Sequence, residues 1–184
     1  MNLNNEEFTM DVISKLERTV LGWAKNVPHL PAAGQKWLGA NVWWIALVVA
    51  IISGIMFLFN LARVFTSISL VGAVSSAYYV TDNYISIIIM SLLVDLVFIT
   101  ATTVLLGIAV KPLQKMQKKG WVLLLMTLLV QALSVVVYAV LTFSIVGFIL
   151  NIIFGAVVLA IVAYFVAEIH GQFGLHARAT AKKA

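Results

Sequence analysis

The sequence predicts an all-α integral membrane protein: four transmembrane helices in an antiparallel bundle plus an N-terminal amphipathic helix. Three observations carry that expectation. The 184 residues are 62 % hydrophobic and only 10 % charged, with a mean hydropathy of +1.06, which is more apolar surface than a soluble fold of this size can hide. Four apolar runs follow one another, each of about 20 residues and so able to cross a hydrocarbon core of roughly 30 Å. Eleven of the twelve Lys and Arg residues fall on one side of the membrane when those runs are read as spans.

The basic residues make this distribution concrete. Lys15, Arg18, Lys25 and Lys36 precede the first run, Lys111, Lys115, Lys118 and Lys119 separate the second from the third, and Arg178, Lys182 and Lys183 follow the last. Arg63 alone lies opposite. Short loops rich in Lys and Arg stay cytoplasmic during insertion, so both termini are expected on the cytoplasmic side of a bacterial-type cytoplasmic membrane. The net charge of +5 is spread along the borders of apolar runs and shows no nucleic-acid recognition module. Anionic lipid headgroups are therefore the expected partner, and nucleic acid is not. The chain has no Cys, which removes disulfides, thiolate metal sites and cysteine nucleophiles together.

Residues 1–40 are expected to form a cytoplasmic amphipathic helix and linker. At 100° per residue, Phe8, Val12, Ile13, Leu16, Val20 and Trp23 share one face of a helix over residues 6–25, while Glu7, Asp11, Arg18 and Lys25 lie opposite. Asn4 or Asn5 suits its N-cap, and Glu6 and Glu7 suit the positive end of its dipole. The helix is too polar to span, so it belongs in the headgroup region or against the cytoplasmic side of the bundle. Pro28 and Pro31 mark a stiff linker after it. No cleavable signal peptide precedes the first apolar run, which reads as an uncleaved signal anchor.

The membrane domain is expected over residues 41–168, with spans at about 42–60, 85–110, 121–143 and 145–167, and a basic cytoplasmic tail over 169–184. The last two spans leave almost no loop and read as a tight hairpin. The Trp residues sit near the cytoplasmic ends and Tyr78, Tyr79 and Tyr84 at the other face, giving an aromatic belt at each interface. Residues 61–84 are read as an outer interfacial segment or re-entrant hairpin. Residues 64–81 are apolar enough to suggest a fifth span, but that would expose the Lys111–Lys119 loop on the outer side, and Ser and Thr residues crowd Thr66–Ser76. No internal repeat is present, so an inverted-repeat transporter is not supported.

Polar residues inside the spans carry any chemistry. Asp95 is the one ionisable side chain expected deep in the bilayer, where a charge costs roughly 3 kcal/mol and must face protein or water. Tyr84, Ser91, Asp95 and Thr102 fall within about 40° on a helical wheel, and Thr127, Gln131, Ser134 and Tyr138 within about 60° on the next span. Asn151 enters the fourth span from the same outer side, and Asn60 ends the first there. The candidate intramembrane polar site is thus Ser91, Asp95, Thr102, Gln131, Ser134, Tyr138 and Asn151. It reads either as an interhelical hydrogen-bond network, at about 1 kcal/mol per bond, or as a proton or cation site around Asp95. No basic residue or second carboxylate accompanies Asp95, which favours the network.

Lys111, Lys115, Lys118 and Lys119 are the candidate anionic-lipid contacts, at roughly 1 kcal/mol per side chain near the surface, although the same lysines also set topology. Small residues at four-residue spacing, Ala46–Ala50–Gly54 in the first span and Gly147, Gly155 and the alanines after it in the fourth, allow close helix approach. Contacts within the monomer are favoured over a homodimer seam.

Counting residues excludes several enzyme classes. A haem needs paired axial His within the spans, an aspartyl protease needs two carboxylates, and neither G-x-S-x-G nor a phosphate-binding glycine loop is present. Glu168, His170 and His176 do not share one helical face and read as solvated end-of-helix groups, so no metal is expected, and no cofactor either. The expected function is a non-enzymatic structural or accessory component of a membrane assembly, with a membrane-protein partner or a homo-oligomer. The alternative is a small proton- or cation-linked transporter or channel using Asp95.

Overall fold

The computed structural model describes residues 3–74, 82–141 and 145–181, and the side chains of residues 14–69, 87–141 and 145–173. Among these residues the chain is all-helical: α1 is Leu3–Ala24, α2 Ala32–Val74, α3 Asp82–Gln114, α4 Lys118–Leu141 and α5 Ile145–Ala181. Four of them, α2 to α5, are long and apolar enough to cross a membrane. Tyr78, Tyr79, Lys182 and Lys183 lie outside the described residues, and Phe8, Val12, Ile13, Tyr84, His176 and Arg178 outside the described side chains.

In α1, Leu16, Val20 and Ala24 repeat every four residues, so they form one stripe. Ala24 is buried, and Leu16 and Val20 pack against the main hydrophobic cluster. This stripe seats α1 on α4 and α5. The chain then turns through the Pro28–Pro31 linker. The Pro31 carbonyl accepts the first helical hydrogen bond of α2, from Gln35 N at 3.1 Å.

The helix α2 differs most from expectation. It runs for 43 residues, about 64 Å at 1.5 Å per residue, and the expected outer segment over 61–84 is no separate element as far as Val74. Two local features explain the continuity. No Pro or Gly lies between Gly54 and Gly72 to break the helix. The hydroxyls taken as evidence against a fifth span turn back onto the helix: Thr66 Oγ1 donates to Ala62 O and Ser69 Oγ to Phe65 O, both at 2.9 Å. A hydroxyl bonded in this way exposes little polarity to lipid.

The turn between α3 and α4 is tight and well specified. Pro112 lies inside α3, two residues before its end. Gln117 N donates to Pro112 O at 2.9 Å and Met116 N to Leu113 O at 3.0 Å, with Met116 left-handed at φ 52°. Together these bonds form a Schellman cap without the usual glycine. Gly120 then packs directly on the backbone of α3. A Cβ at this position would meet Leu113 N at 2.7 Å.

Along the chain each spanning helix packs on the next, α2 on α3, α3 on α4 and α4 on α5, while α2 touches α5 much less. The main core cluster gathers at the end that carries the α3–α4 turn, around Leu113, Trp121, Leu125, Ile169 and Phe173. Elsewhere the spans expose large apolar side chains such as Phe59, Val97, Val140 and Phe154. Lipid can cover such surfaces where water could not. α5 also continues beyond the expected limit at residue 167, as an unbroken helix to Ala181.

Candidate functional site

Two polar rungs join α3 to α4 inside the spans. Gln131 Nε2 donates to the Thr102 hydroxyl at 2.9 Å, and the Tyr138 hydroxyl interacts with the Asp95 carboxylate. On each helix the two rungs lie seven residues apart, two turns or about 10 Å, which returns the side chains to the same face. Thr102 is buried and Asp95 half-buried. Four residues of the expected polar site therefore meet as two pairs.

The other expected members behave differently. Ser91 Oγ donates to Ile88 O at 2.8 Å and Ser134 Oγ to Gln131 O at 2.7 Å, both within their own helices. Asn151 sits on an exposed face of α5 near its start. Asn60 is buried in α2, and its Oδ1 has no hydrogen-bond partner. A Cβ on Gly54 would lie 3.9 Å from Thr103 Cγ2, so α2 approaches α3 closely there.

The richest polar arrangement lies at the basic end and was not legible as a site. Glu168 was expected to be solvated. Instead its side chain is 1 % exposed. It accepts from His29 Nδ1 at 2.7 Å, Leu30 N at 2.8 Å and Gln35 Nε2 at 3.1 Å. A carboxylate can only accept here, so His29 carries its proton on Nδ1. Tyr164 adds a hydrogen bond to Pro28 O at 2.9 Å. The correction has a simple physical cause. Val166, Ala167, Glu168 and Ile169 are all buried, and four consecutive residues point to every side of a helix. Here α5 is enclosed all round, and a carboxylate enclosed this way must be hydrogen-bonded.

A second carboxylate holds α1. Glu17 Oε1 lies 2.9 Å from His170 Nε2 and 3.3 Å from Lys118 Nζ. Partial burial pushes the Glu17 carboxyl up, but the His170 and Lys118 contacts outweigh it and hold it below its ordinary value. Trp121 completes the arrangement by donating its indole N–H to Val166 O at 2.7 Å. Glu17 and Glu168 are thus both paired, whereas Lys25, Lys36, Lys111, Lys115 and Lys119 are exposed. Of the four expected lipid-contacting lysines, Lys118 faces Glu17.

Beside the Thr102–Gln131 rung, a cleft of about 760 Å³ opens between α2 and α5, with α3 and α4 as its floor. Its lining is aliphatic and aromatic apart from Thr102, Thr127 and Gln131. Among the described residues no group of three or more His, Asp or Glu side chains converges as metal ligands. The chain matches no protein-family model, no curated protein and no solved structure.

Proposed function

We propose that this small multi-pass membrane protein is a non-enzymatic structural or accessory component of a membrane assembly, inserted as an antiparallel bundle with both termini cytoplasmic. The observation that carries this reading is the pairing of the intramembrane polar groups. Thr102 and Gln131 tie α3 to α4 through an interhelical hydrogen bond, and Tyr138 adds an electrostatic contact with Asp95. Short connections between α3 and α4 and between α4 and α5 favour alternating directions, and α1 provides an amphipathic cover at the cytoplasmic end. The exposed lysines there offer contacts for anionic headgroups.

A proton- or cation-linked role for Asp95 is the second reading, favoured by one observation. Asn60 Oδ1 is buried in α2 without a hydrogen-bond partner. Asp95→Asn separates the two, since it keeps shape and hydrogen bonding but removes titration. Under the structural reading the variant folds normally, and neither it nor the wild type moves protons or alkali cations across liposomes. Wild-type flux that Asp95→Asn abolishes would overturn the structural reading.

A further inference from the structure

We infer that the outward face of α1, which carries Lys15, Arg18 and Lys25 with Trp23 at its edge, holds anionic phospholipid headgroups of the leaflet at the basic end. This rests on the membrane-inserted reading above and gives it a specific lipid-binding surface. The helix meets lipid through its basic side, because its apolar side is spent on the protein.

The docking of α1 decides which side it presents. At 3.6 residues per turn, Leu16, Val20 and Ala24 lie within about 80° of one another, and the bundle takes up this stripe. Lys15, Arg18 and Lys25 also fall within about 80°, centred opposite that stripe, and all three are exposed. Trp23 borders them and is 43 % exposed. Glu17, the one acid between residues 14 and 69, is held on the docked side by His170 and Lys118. By register, Glu7 and Asp11 precede Lys15 on its own side of the helix, so the basic surface is confined to residues 15–25.

The linker sets the depth of this surface. The Tyr164 hydroxyl donates to Pro28 O at 2.9 Å, and Leu30 N donates to Glu168 at 2.8 Å. Because α5 continues to Ala181, these bonds hold the linker against the flank of α5 and not beneath its end. Ile161 and Phe165 share that side of α5, within about 100° of Tyr164 and Glu168, and both are exposed. The linker thus sits where the apolar flank gives way to polar groups, which is the level of phospholipid headgroups. Lys25 comes three residues before Pro28 and lies within about 11 Å of that border. Trp23 suits the same level, with an apolar ring and a polar N–H.

Charge selects the lipid. Glu17 and Glu168, the carboxylates nearest this surface, are paired with other groups, so Arg18 and Lys25 present their charge outward. Each Lys or Arg near an anionic leaflet strengthens association about fivefold.

Fluorescence quenching of the full chain tests this, in vesicles of phosphatidylcholine containing a small share of nitroxide lipid. The nitroxide sits near the glycerol of either phosphatidylglycerol or phosphatidylcholine. The chain has no Cys, so Thr19→Cys places a single fluorophore on the outward face, between Lys15 and Trp23. The phosphatidylglycerol quencher should act roughly fivefold more effectively than the phosphatidylcholine one. Combining Arg18→Gln with Lys25→Gln should bring that ratio close to one, while Lys111→Gln with Lys119→Gln should leave most of it. A fluorophore at Ile161→Cys reports insertion, and both lipids should quench it. With Ile161 quenched, equal quenching by the two lipids at Thr19 would overturn the inference alone. So would a ratio that survives Arg18→Gln with Lys25→Gln, or one lost with Lys111→Gln and Lys119→Gln. A ratio abolished by sodium phosphate but not by sodium chloride of equal ionic strength would assign the surface to a free anion and overturn it too. No quenching at Ile161 would overturn the membrane-inserted reading itself.

Discussion

Trp121 and His170 meet edge to face, with ring centroids 4.6 Å apart and planes at 70°. Each ring also holds a different neighbour. The Trp121 indole bonds Val166 O of α5 at 2.7 Å, and the His170 imidazole contacts Glu17 of α1 at 2.9 Å. One aromatic contact thus couples three helices. Trp121→Phe keeps most of the ring packing and loses one hydrogen bond, at a cost of about 1 kcal/mol. Trp121→Ala also empties a fully buried site and should cost about 3–5 kcal/mol. Thermal unfolding in detergent, followed by circular dichroism, should give that order; a Trp121→Phe variant as stable as the wild type would refute the separate role of the indole N–H.

Glu168 fixes the linker. Glu168→Ala leaves the Leu30 N–H and the Gln35 amide without their carboxylate, at a cost of about 1–3 kcal/mol. Protease cleavage within residues 25–31 should accelerate while the spans stay protected. Glu168→Gln retains an acceptor for Leu30 and should fall between alanine and wild type. Unchanged cleavage of the alanine variant would show that the linker is held by other contacts.

Acid should release α1. Because Glu17 is held below its ordinary value of 4.5, the folded form binds this proton less readily than the unfolded one. The stabilisation is therefore complete above that ordinary value and is lost as pH falls through the lowered value. A spin-label distance between α1 and α4 should lengthen as pH falls below 4.5, and Glu17→Gln should weaken the docking at neutral pH and remove this acid step. An acid transition that persists in Glu17→Gln would assign the release to another group.

Two glycine substitutions should act oppositely. Gly120→Ala forces a methyl group against the backbone of Leu113, and overpacking of this kind costs about 1–3 kcal/mol. Gly107 has open space around its missing Cβ, so Gly107→Ala should be neutral or stabilise by up to about 1 kcal/mol. Melting temperatures that move together would refute the close approach of α4 to α3.

Orientation is tested by labelling. A cysteine introduced by Lys118→Cys should react with an impermeant reagent only from the cytoplasmic side of sealed vesicles, as the distribution of basic residues requires. Reaction from outside would reverse the proposed topology.

Residue pattern revealed the spanning helices because lipid exposure demands long apolar runs, and it revealed the Asp95 and Gln131 stripes because seven-residue spacing repeats on a helix face. Two features were hidden for different reasons. The length of α2 depends on hydroxyls at Thr66 and Ser69 that look polar in sequence but are bonded to their own helix. The Glu168 site joins residues separated by 138 and 139 positions, a distance no local periodicity can register. Glu168 looked solvated because the apolar run ends just before it. Only the packing of the linker and α2 around α5 reveals that it is enclosed.

The unbroken length of α2 makes it a lever. Gln35, one turn into the helix, bonds to Glu168, and Gly39 rests against Gln172, so one end is pinned. The other end lies about 60 Å away. A tilt of about 5° at the pinned end would sweep the tip sideways by about 5 Å, and because α2 packs along α3, α3 would have to move with it.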